Sequence, residues 1–384
     1  MNILVISHFH GDGSPSAVFV HAQAAAYARL GHSVRVIVPL AFGKRGYDGA
    51  RIFPAAARRV IDGVPHQYVR YFTLSRFGAN GFNARQAIRA VSRLDLAFIP
   101  DVIHAHTLGF DSEIGAWLKA RFGCPLVVTT HGSDTSIPAQ NGQGKLLKRY
   151  ADRADAVVCV SSALKAALER ERVGAPLLVI LNGYASQAEE CGGEKTRLAL
   201  NQTGNLIESK RNSVTIRAFA RLRAAHPEAV LSITGQGPER PALEKLCDAL
   251  GVADGVRFLG RLDNREAQAE MRKAQFFVMP SVREGFGIVY LEAMAAGCVT
   301  IGTEGEGIAD LIRSGENGFL VPPDDPDAIV EVIERCLRAP EEAAAIAERG
   351  RRAARTLTWE HNAKQYIGLF ERLTEKGTAK GELP

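Results

Sequence analysis

Residues 276–303 read "FFVMPSVREGFGIVYLEAMAAGCVTIGT". "FFVMPS" is an apolar run of strand length, "VREGFG" a glycine-spaced loop, "IVYLEAMAAG" an apolar helix, and "CVTIGT" a second strand-like run. Strand, loop, helix and strand in that order predict a parallel pair with a helix laid over it. One residue interrupts the apolar helix. Glu292 puts a carboxylate between Leu291 and Ala293, about two turns in by this reading, and a carboxylate there needs a partner or a ligand.

The same alternation extends outward along the chain. "ILVIS" (3–7), "VRVIVP" (34–39), "DVIHAH" (101–106), "PLVVTTH" (125–131), "DAVVCVS" (155–161) and "PLLVILNG" (176–183) form one series. "RLALNQTG" (197–204), "VLSITGQG" (230–237), "VRFLGRL" (256–262), the opening stretch and "GFLVPP" (318–323) form another. Helical segments separate most of these runs. The predicted class is therefore α/β, with parallel sheets covered on both faces. The polar, glycine-containing stretch "NGYASQAEECGGEK" (182–195) divides two Rossmann-like domains, 1–183 and 197–357, with 184–196 as the linker. Ligands in such sheets bind beyond the carboxyl ends of the strands, so the loops that follow strands carry the chemistry.

A chain of 384 residues suits two domains of ordinary size. Apolar residues make up 46% and charged residues 23%, the composition of a globular protein, and no apolar run is long enough to span a bilayer. "MNILVISHFHGDG" reads as a buried first strand and not as a signal peptide. Six scattered cysteines without C-x-x-C spacing suit reduced thiols and a cytoplasmic setting. The net charge of +5 is unevenly spread: residues 41–95 hold ten Lys or Arg against three Asp, interleaved with aromatics. Two readings of that patch stand open, a solvated face or a surface that rests on anionic lipid or meets a phosphate-bearing acceptor. No nucleic-acid-binding motif accompanies it, so nucleic acid is not an expected partner.

The loop "VREGFG" feeds a helix N-terminus, where free backbone N–H groups and the positive end of the dipole suit a phosphate. "TGNLIESKR" (203–211) places Lys210 in the loop after the second domain's first strand, as a diphosphate-binding lysine requires. "ITGQGPER" and "IGTEGEGIADLIRSGENGFLV" add glycine-rich turns at further strand ends. Taken in this order, these stretches resemble the retaining nucleotide-sugar glycosyltransferases of family 4, which have the two-domain GT-B fold. The resemblance covers nearly the whole chain and is strongest over residues 275–325, where two glutamates, Glu284 and Glu292, stand with seven residues between them.

The resemblance implies roles for matching residues. Glu284 is similar to the glutamate that faces the donor sugar, and Lys210 to the lysine that neutralises the diphosphate leaving group. Gly285 and the backbone amides of Phe286, Gly287, Ile288 and Val289 resemble the donor cradle, and Glu292 the ribose-binding carboxylate. Gly260, Arg261 and Leu262 resemble the strand end whose backbone holds the base. "DVIHAHTLG" resembles the acceptor-side motif in which His106 points into the cleft, and "THGSD" brings His131 and Asp134 to the same side. "TWEHNAKQYIGLFERL" (358–373) resembles the terminal helix that crosses back to the first domain.

Three positions depart from the family pattern. Asn205 stands where an arginine usually follows the glycine of "TGN", and Arg211 or Arg283 is the available replacement. Ser16-Ala17 occupies the place of a glycine that normally meets the donor phosphate, and Ala185 replaces an aspartate after "NG". On the acceptor side His8 and Ser16 join the candidates.

Other features have competing explanations. His104 and His106 share one strand face, which fits packed histidines or an acceptor-side role for His106. A zinc site would need further ligands that no Cys/His spacing supplies. Asp325-Pro326-Asp327 is formally the metal-diphosphate pattern of other glycosyltransferases, but a helix N-cap explains it. The expectation is metal-independent transfer of a hexosyl group from a UDP- or GDP-linked sugar, with no cofactor. By resemblance the acceptor is a saccharide or lipid-linked saccharide of surface-polysaccharide assembly, at the inner face of the plasma membrane. The alternatives are a nucleotide-sugar epimerase of the same fold and a non-catalytic sugar-nucleotide-binding relative.

Overall fold

The computed structural model describes residues 1–8, 18–42, 56–73, 80–96, 98–185 and 195–381. The chain folds as two compact units, Met1–Gly183 with Trp359–Pro384, and Tyr184–Thr358.

The first unit is built on eight strands: β1 (Asn2–Ile6), β2 (Ser33–Phe42), β3 (Ala56–Ile61), β4 (Val64–Phe72), β5 (Val102–His106), β6 (Leu126–Thr130), β7 (Ala156–Cys159) and β8 (Leu177–Val179). Their order is β3-β4-β2-β1-β5-β6-β7-β8. Every pair is parallel except β3–β4, a hairpin. Asp62-Gly63 makes its two-residue turn, both residues with positive φ, which is the backbone a tight hairpin needs. Because β1 lies between β2 and β5, the chain reverses direction across the sheet there, and the ends of β1 and β5 flank the switch point. The helix Trp359–Gly381 packs on the helix Val18–Arg29 of this unit. Gln23 donates to Asn362 at 2.6 Å, Tyr27 meets Phe370 edge-on, and the Tyr366 hydroxyl sits 2.8 Å from that of Thr129.

The second unit has six strands, β9 (Thr196–Thr203), β10 (Val230–Thr234), β11 (Val256–Gly260), β12 (Ala274–Val278), β13 (Val299–Thr303) and β14 (Phe319–Val321). All its pairings are parallel, in the order β11-β10-β9-β12-β13-β14. Its switch point lies between β9 and β12. The core behind this sheet includes Leu200, Phe219, Leu231, Phe276 and Ile301. Asp325 caps the helix Pro326–Arg338, accepting from the backbone N–H groups of Asp327 and Ala328 at 3.0 Å, so one carboxylate of the Asp-Pro-Asp pattern has a structural partner. Among the described residues five cysteines are free and buried, and no helix is long and apolar enough to cross a membrane. Cys191 lies outside the described residues, as do Lys44, Arg45, Arg51 and Arg76 of the basic stretch. Arg58 and Arg59 on β3 and Arg85, Arg89 and Arg93 along and just past the helix Asn80–Val91 are exposed.

Candidate active site

In the second unit the loops after β9, β10, β12 and β13 lie side by side. The β9 loop ends in a short turn, Glu208–Lys210, and Gln202 holds the backbone of Lys210 by donating to its carbonyl at 2.8 Å. From that turn Lys210 Nζ donates to Oε2 of Glu284, in the loop after β12. The backbones are joined as well, since Val282 N–H donates to the Ser209 carbonyl at 2.8 Å. Both charged side chains are only 18% exposed, so each depends on the other for compensation.

Glycines allow the close approach of these loops. A Cβ on Gly235 would stand 1.9 Å from the Gly204 carbonyl oxygen, and one on Gly237 2.1 Å from that of Leu206. The β9 loop therefore rests backbone to backbone on the β10 loop. Gly235 N–H in turn donates to the Gly260 carbonyl at the end of β11. Arg261 beyond it is exposed and Leu262 half-buried.

The helix Ile288–Ala295 starts on Gly287, with φ 82°, and Gly287 has no side chain to cap it. Among the described residues no acceptor is recorded for the N–H groups of Phe286, Gly287, Ile288 and Val289. Four unsatisfied donors and the positive end of a helix dipole thus open beside the Lys210–Glu284 pair. That arrangement suits an anion.

The helix starts at Ile288, where the sequence places it, and Glu292 stands just over one turn in and not two. It faces the helix Asn264–Lys273, and Gln268, Arg272, Ala295, Ala296 and Tyr184 line a small pocket with it. Burial raises its carboxyl pKa to about 7, against the opposing hydrogen bonds of Gln268 and Asn264. The neighbouring helix Asn264–Lys273 therefore supplies the polar partners that this carboxylate needs.

The first unit gathers histidines at its own switch point. His106, at the end of β5, is 1% exposed, with Nδ1 3.0 Å from Nε2 of His131 and the two rings stacked. Among the described residues its buried Nε2 has no hydrogen-bond partner. Burial pushes His104 and His131 down to about 3 and His106 well below the ordinary imidazole range, so the cluster is neutral at pH 7. His8 donates its backbone N–H to Asp111 and pairs with it through Nδ1 at 2.8 Å. Asp134 accepts from the N–H groups of Leu108, His131 and Gly132 at 2.9–3.0 Å and from the Thr130 hydroxyl, tying the β5 loop to the β6 loop. Among the described residues no group of His, Cys, Asp and Glu side chains could hold a metal ion.

Two family models divide the chain. "Glycosyltransferase Family 4" matches residues 16–187 and "Glycosyl transferases group 1" matches residues 191–353. The chain is a GT-B glycosyltransferase. A glycosyltransferase of Methanocaldococcus jannaschii is 26% identical over 276 residues, 72% of this chain and 76% of that protein. Phosphatidyl-myo-inositol mannosyltransferase of Mycobacterium leprae is 29% identical over 289 residues, 72% of this chain and 75% of that one. The crystal structure of HepE from Anabaena, in complex with UDP and glucose, superposes with a TM-score of 0.74 at 19% identity, covering 97% of this chain and all of that one.

The predicted residues of this glycosyltransferase are not all alike in their surroundings. Lys210, Glu284, Gly285 and the amides of residues 286–289 converge on one place. Asn205 is exposed at the edge of the β9 loop. Arg211 turns away: its φ is 52°, and its guanidinium pairs with Asp324 at 2.8 Å and with Glu208. Arg283 is exposed with φ 60°, and among the described residues its guanidinium makes no ion pair, unlike that of Arg211. Asp134 is fully engaged by backbone donors. Ser16 and Ala17 lie outside the described residues. Two contacts have no signal in the sequence. Asp111 holds His8 from 103 positions away, and Glu306 accepts from the backbone of Arg283 and Glu284. No spacing in the sequence signals either.

Proposed function

We propose that the protein is a retaining, metal-independent hexosyltransferase that uses a UDP- or GDP-linked sugar as donor. The observation that carries this reading is the Lys210–Glu284 pair set beside the uncapped amides of residues 286–289 at the β9/β12 switch point. A donor diphosphate placed there would meet a cation and four N–H groups, which compensate the charge that grows on the leaving group as the glycosidic bond breaks. Glu284 is then left facing the sugar, and Glu292 accepts from the ribose hydroxyls. The bound UDP and glucose of the HepE structure support a nucleotide sugar of this kind.

The first unit supplies the acceptor side in this proposal, through His106, His131 and His8. The neutral state of His106 and His131 makes them hydrogen-bond partners for hydroxyls and not counter-ions for phosphates. The acceptor is a saccharide or lipid-linked saccharide of cell-surface polysaccharide assembly. The phosphatidyl-myo-inositol mannosyltransferase similarity supports a lipid-borne acceptor, and the exposed arginines of residues 41–95 support peripheral contact with an anionic membrane face.

Incubating the full chain with UDP- and GDP-linked hexoses and a lipid-linked saccharide, with chelator present, tests the proposal. The expected product keeps the donor's anomeric configuration by NMR. An inverted product, or transfer only after a divalent ion is added, contradicts it.

A further inference from the structure

Glu306 lies in the glycine-rich loop after β13, within "TEGEG". Its two carboxylate oxygens are each used once. Oε1 accepts from the backbone N–H of Arg283 and Oε2 from that of Glu284, both at 2.8 Å. A carboxylate bound to adjacent amides through separate oxygens makes two charge-assisted bonds and fixes the direction of the backbone between them.

The backbone it holds is under constraint. Arg283 has φ 60°, a left-handed conformation that a residue with a long side chain seldom adopts unless its surroundings impose it. The contact is reinforced by shape: a Cβ on Gly307 would fall 2.0 Å from the Gly285 carbonyl oxygen, so the two loops touch without a side chain between them. The Tyr290 ring fills the space where a Gly287 Cβ would stand, and its hydroxyl is anchored to the Met279 carbonyl and the Ser281 hydroxyl. Glu284 is thus carried on a loop held by Glu306 at residues 283 and 284 and by Tyr290 at Gly287.

We infer that Glu306 is a positioning residue for transfer: it sets the place of Glu284 and reserves the anion cradle for residues 286–289. The second part follows from charge. With the amides of 283 and 284 occupied by a carboxylate, a phosphate finds donors only further along, from residue 286 to the helix start, and is repelled from the amides of 283 and 284. The inference rests on the reading of Glu284 as the residue that faces the donor sugar.

The test uses the full chain and a panel of UDP- and GDP-linked glucose, galactose and mannose, scored as nucleoside diphosphate released in the presence of a lipid-linked saccharide. Glu306→Ala frees both amides, while Glu306→Gln keeps one acceptor oxygen. Misplacement of a reacting group by about 1 Å costs about a hundredfold in rate, so Glu306→Ala is expected to lose kcat on that scale and Glu306→Gln to recover part of it. Affinity for the free nucleoside diphosphate, held by Lys210 and the helix amides, is expected to change by less than about threefold. In a Glu284→Gln background Glu306→Ala is expected to add no further loss, since the two act as one unit. Unchanged kcat in Glu306→Ala, or additive losses in the double variant, overturns the inference. So does a loss of kcat in Glu306→Gln matched by an equal loss of nucleotide affinity. Full turnover in Glu284→Gln alone overturns the reading of Glu284 and the clamp with it, whereas loss in Glu284→Gln with native behaviour in Glu306→Ala removes only the clamp. No release by the native chain with any donor overturns both.

Discussion

Lys210 and Glu284, 74 residues apart, meet in a hydrogen-bonded ion pair across the gap between the ends of β9 and β12. The pair is what the fold brings together at the place in the second unit where neighbouring strands send their loops to opposite sides. In the proposed reaction an incoming diphosphate takes over Lys210 and releases Glu284 toward the sugar. Removing a preorganised cation from a leaving group costs about 100-fold or more in kcat. Lys210→Ala is therefore expected to lose at least that much turnover, together with affinity for nucleoside diphosphates, in steady-state kinetics and calorimetry.

Glu292 should make the second unit sensitive to pH. Its folded pKa of about 7 exceeds the ordinary 4.5 because burial disfavours the charged form. The folded state thus holds a proton that the unfolded chain releases, so the group's contribution to stability is fully present below about pH 4.5 and declines as pH rises to about 7. Glu292→Gln is expected to flatten the fall in melting temperature between those pH values. A ligand whose hydroxyls donate to the carboxylate favours the ionised form. Nucleoside diphosphate binding near neutral pH should then release a proton, visible as a dependence of the calorimetric enthalpy on buffer.

Gly235→Ala tests the contact between the β9 and β10 loops. Gly235 has φ 137°, and an added Cβ would stand 1.9 Å from the Gly204 carbonyl oxygen, so the backbone itself must shift. Overpacking of this kind costs about 1–3 kcal/mol. The expected outcome is a lower melting temperature with weakened nucleotide binding, because the displaced loop leads to Lys210.

Asp134 behaves as a structural carboxylate in the first unit. Burial raises its pKa, opposed by three backbone N–H donors and the Thr130 hydroxyl. In Asp134→Asn the amide NH₂ meets N–H donors and leaves some of them unsatisfied, at about 1–3 kcal/mol each. Chemical denaturation should show a loss of stability on that scale while nucleotide binding by the second unit stays near native.

Much of this was readable from the sequence, and the limits have physical causes. The strand and helix alternation pointed to the class, since hydrophobic period is a local property. Lys210 and Glu284 were readable because each follows a strand, and loops after parallel strands converge. Glu306 was not, because a glutamate between glycines reads as solvated until the loop it binds is placed beside it. Arg211 is suggested as a donor contact by its place beside Lys210, and its pairing with Asp324, over 113 residues, is encoded by no local pattern. Asp111 and His8 likewise meet only because β1 and β5 are neighbours.

The most direct test of the central claim is a calorimetric titration of the native chain with UDP, GDP and ADP, first in chelator and then with Mg²⁺, with Lys210→Ala and Glu292→Ala alongside. One of these nucleotides is expected to bind without metal, and both variants are expected to weaken it by about tenfold or more, about 1.4 kcal/mol each. Absence of binding to all three, or native affinity in both variants, would contradict a donor site at the β9/β12 switch point.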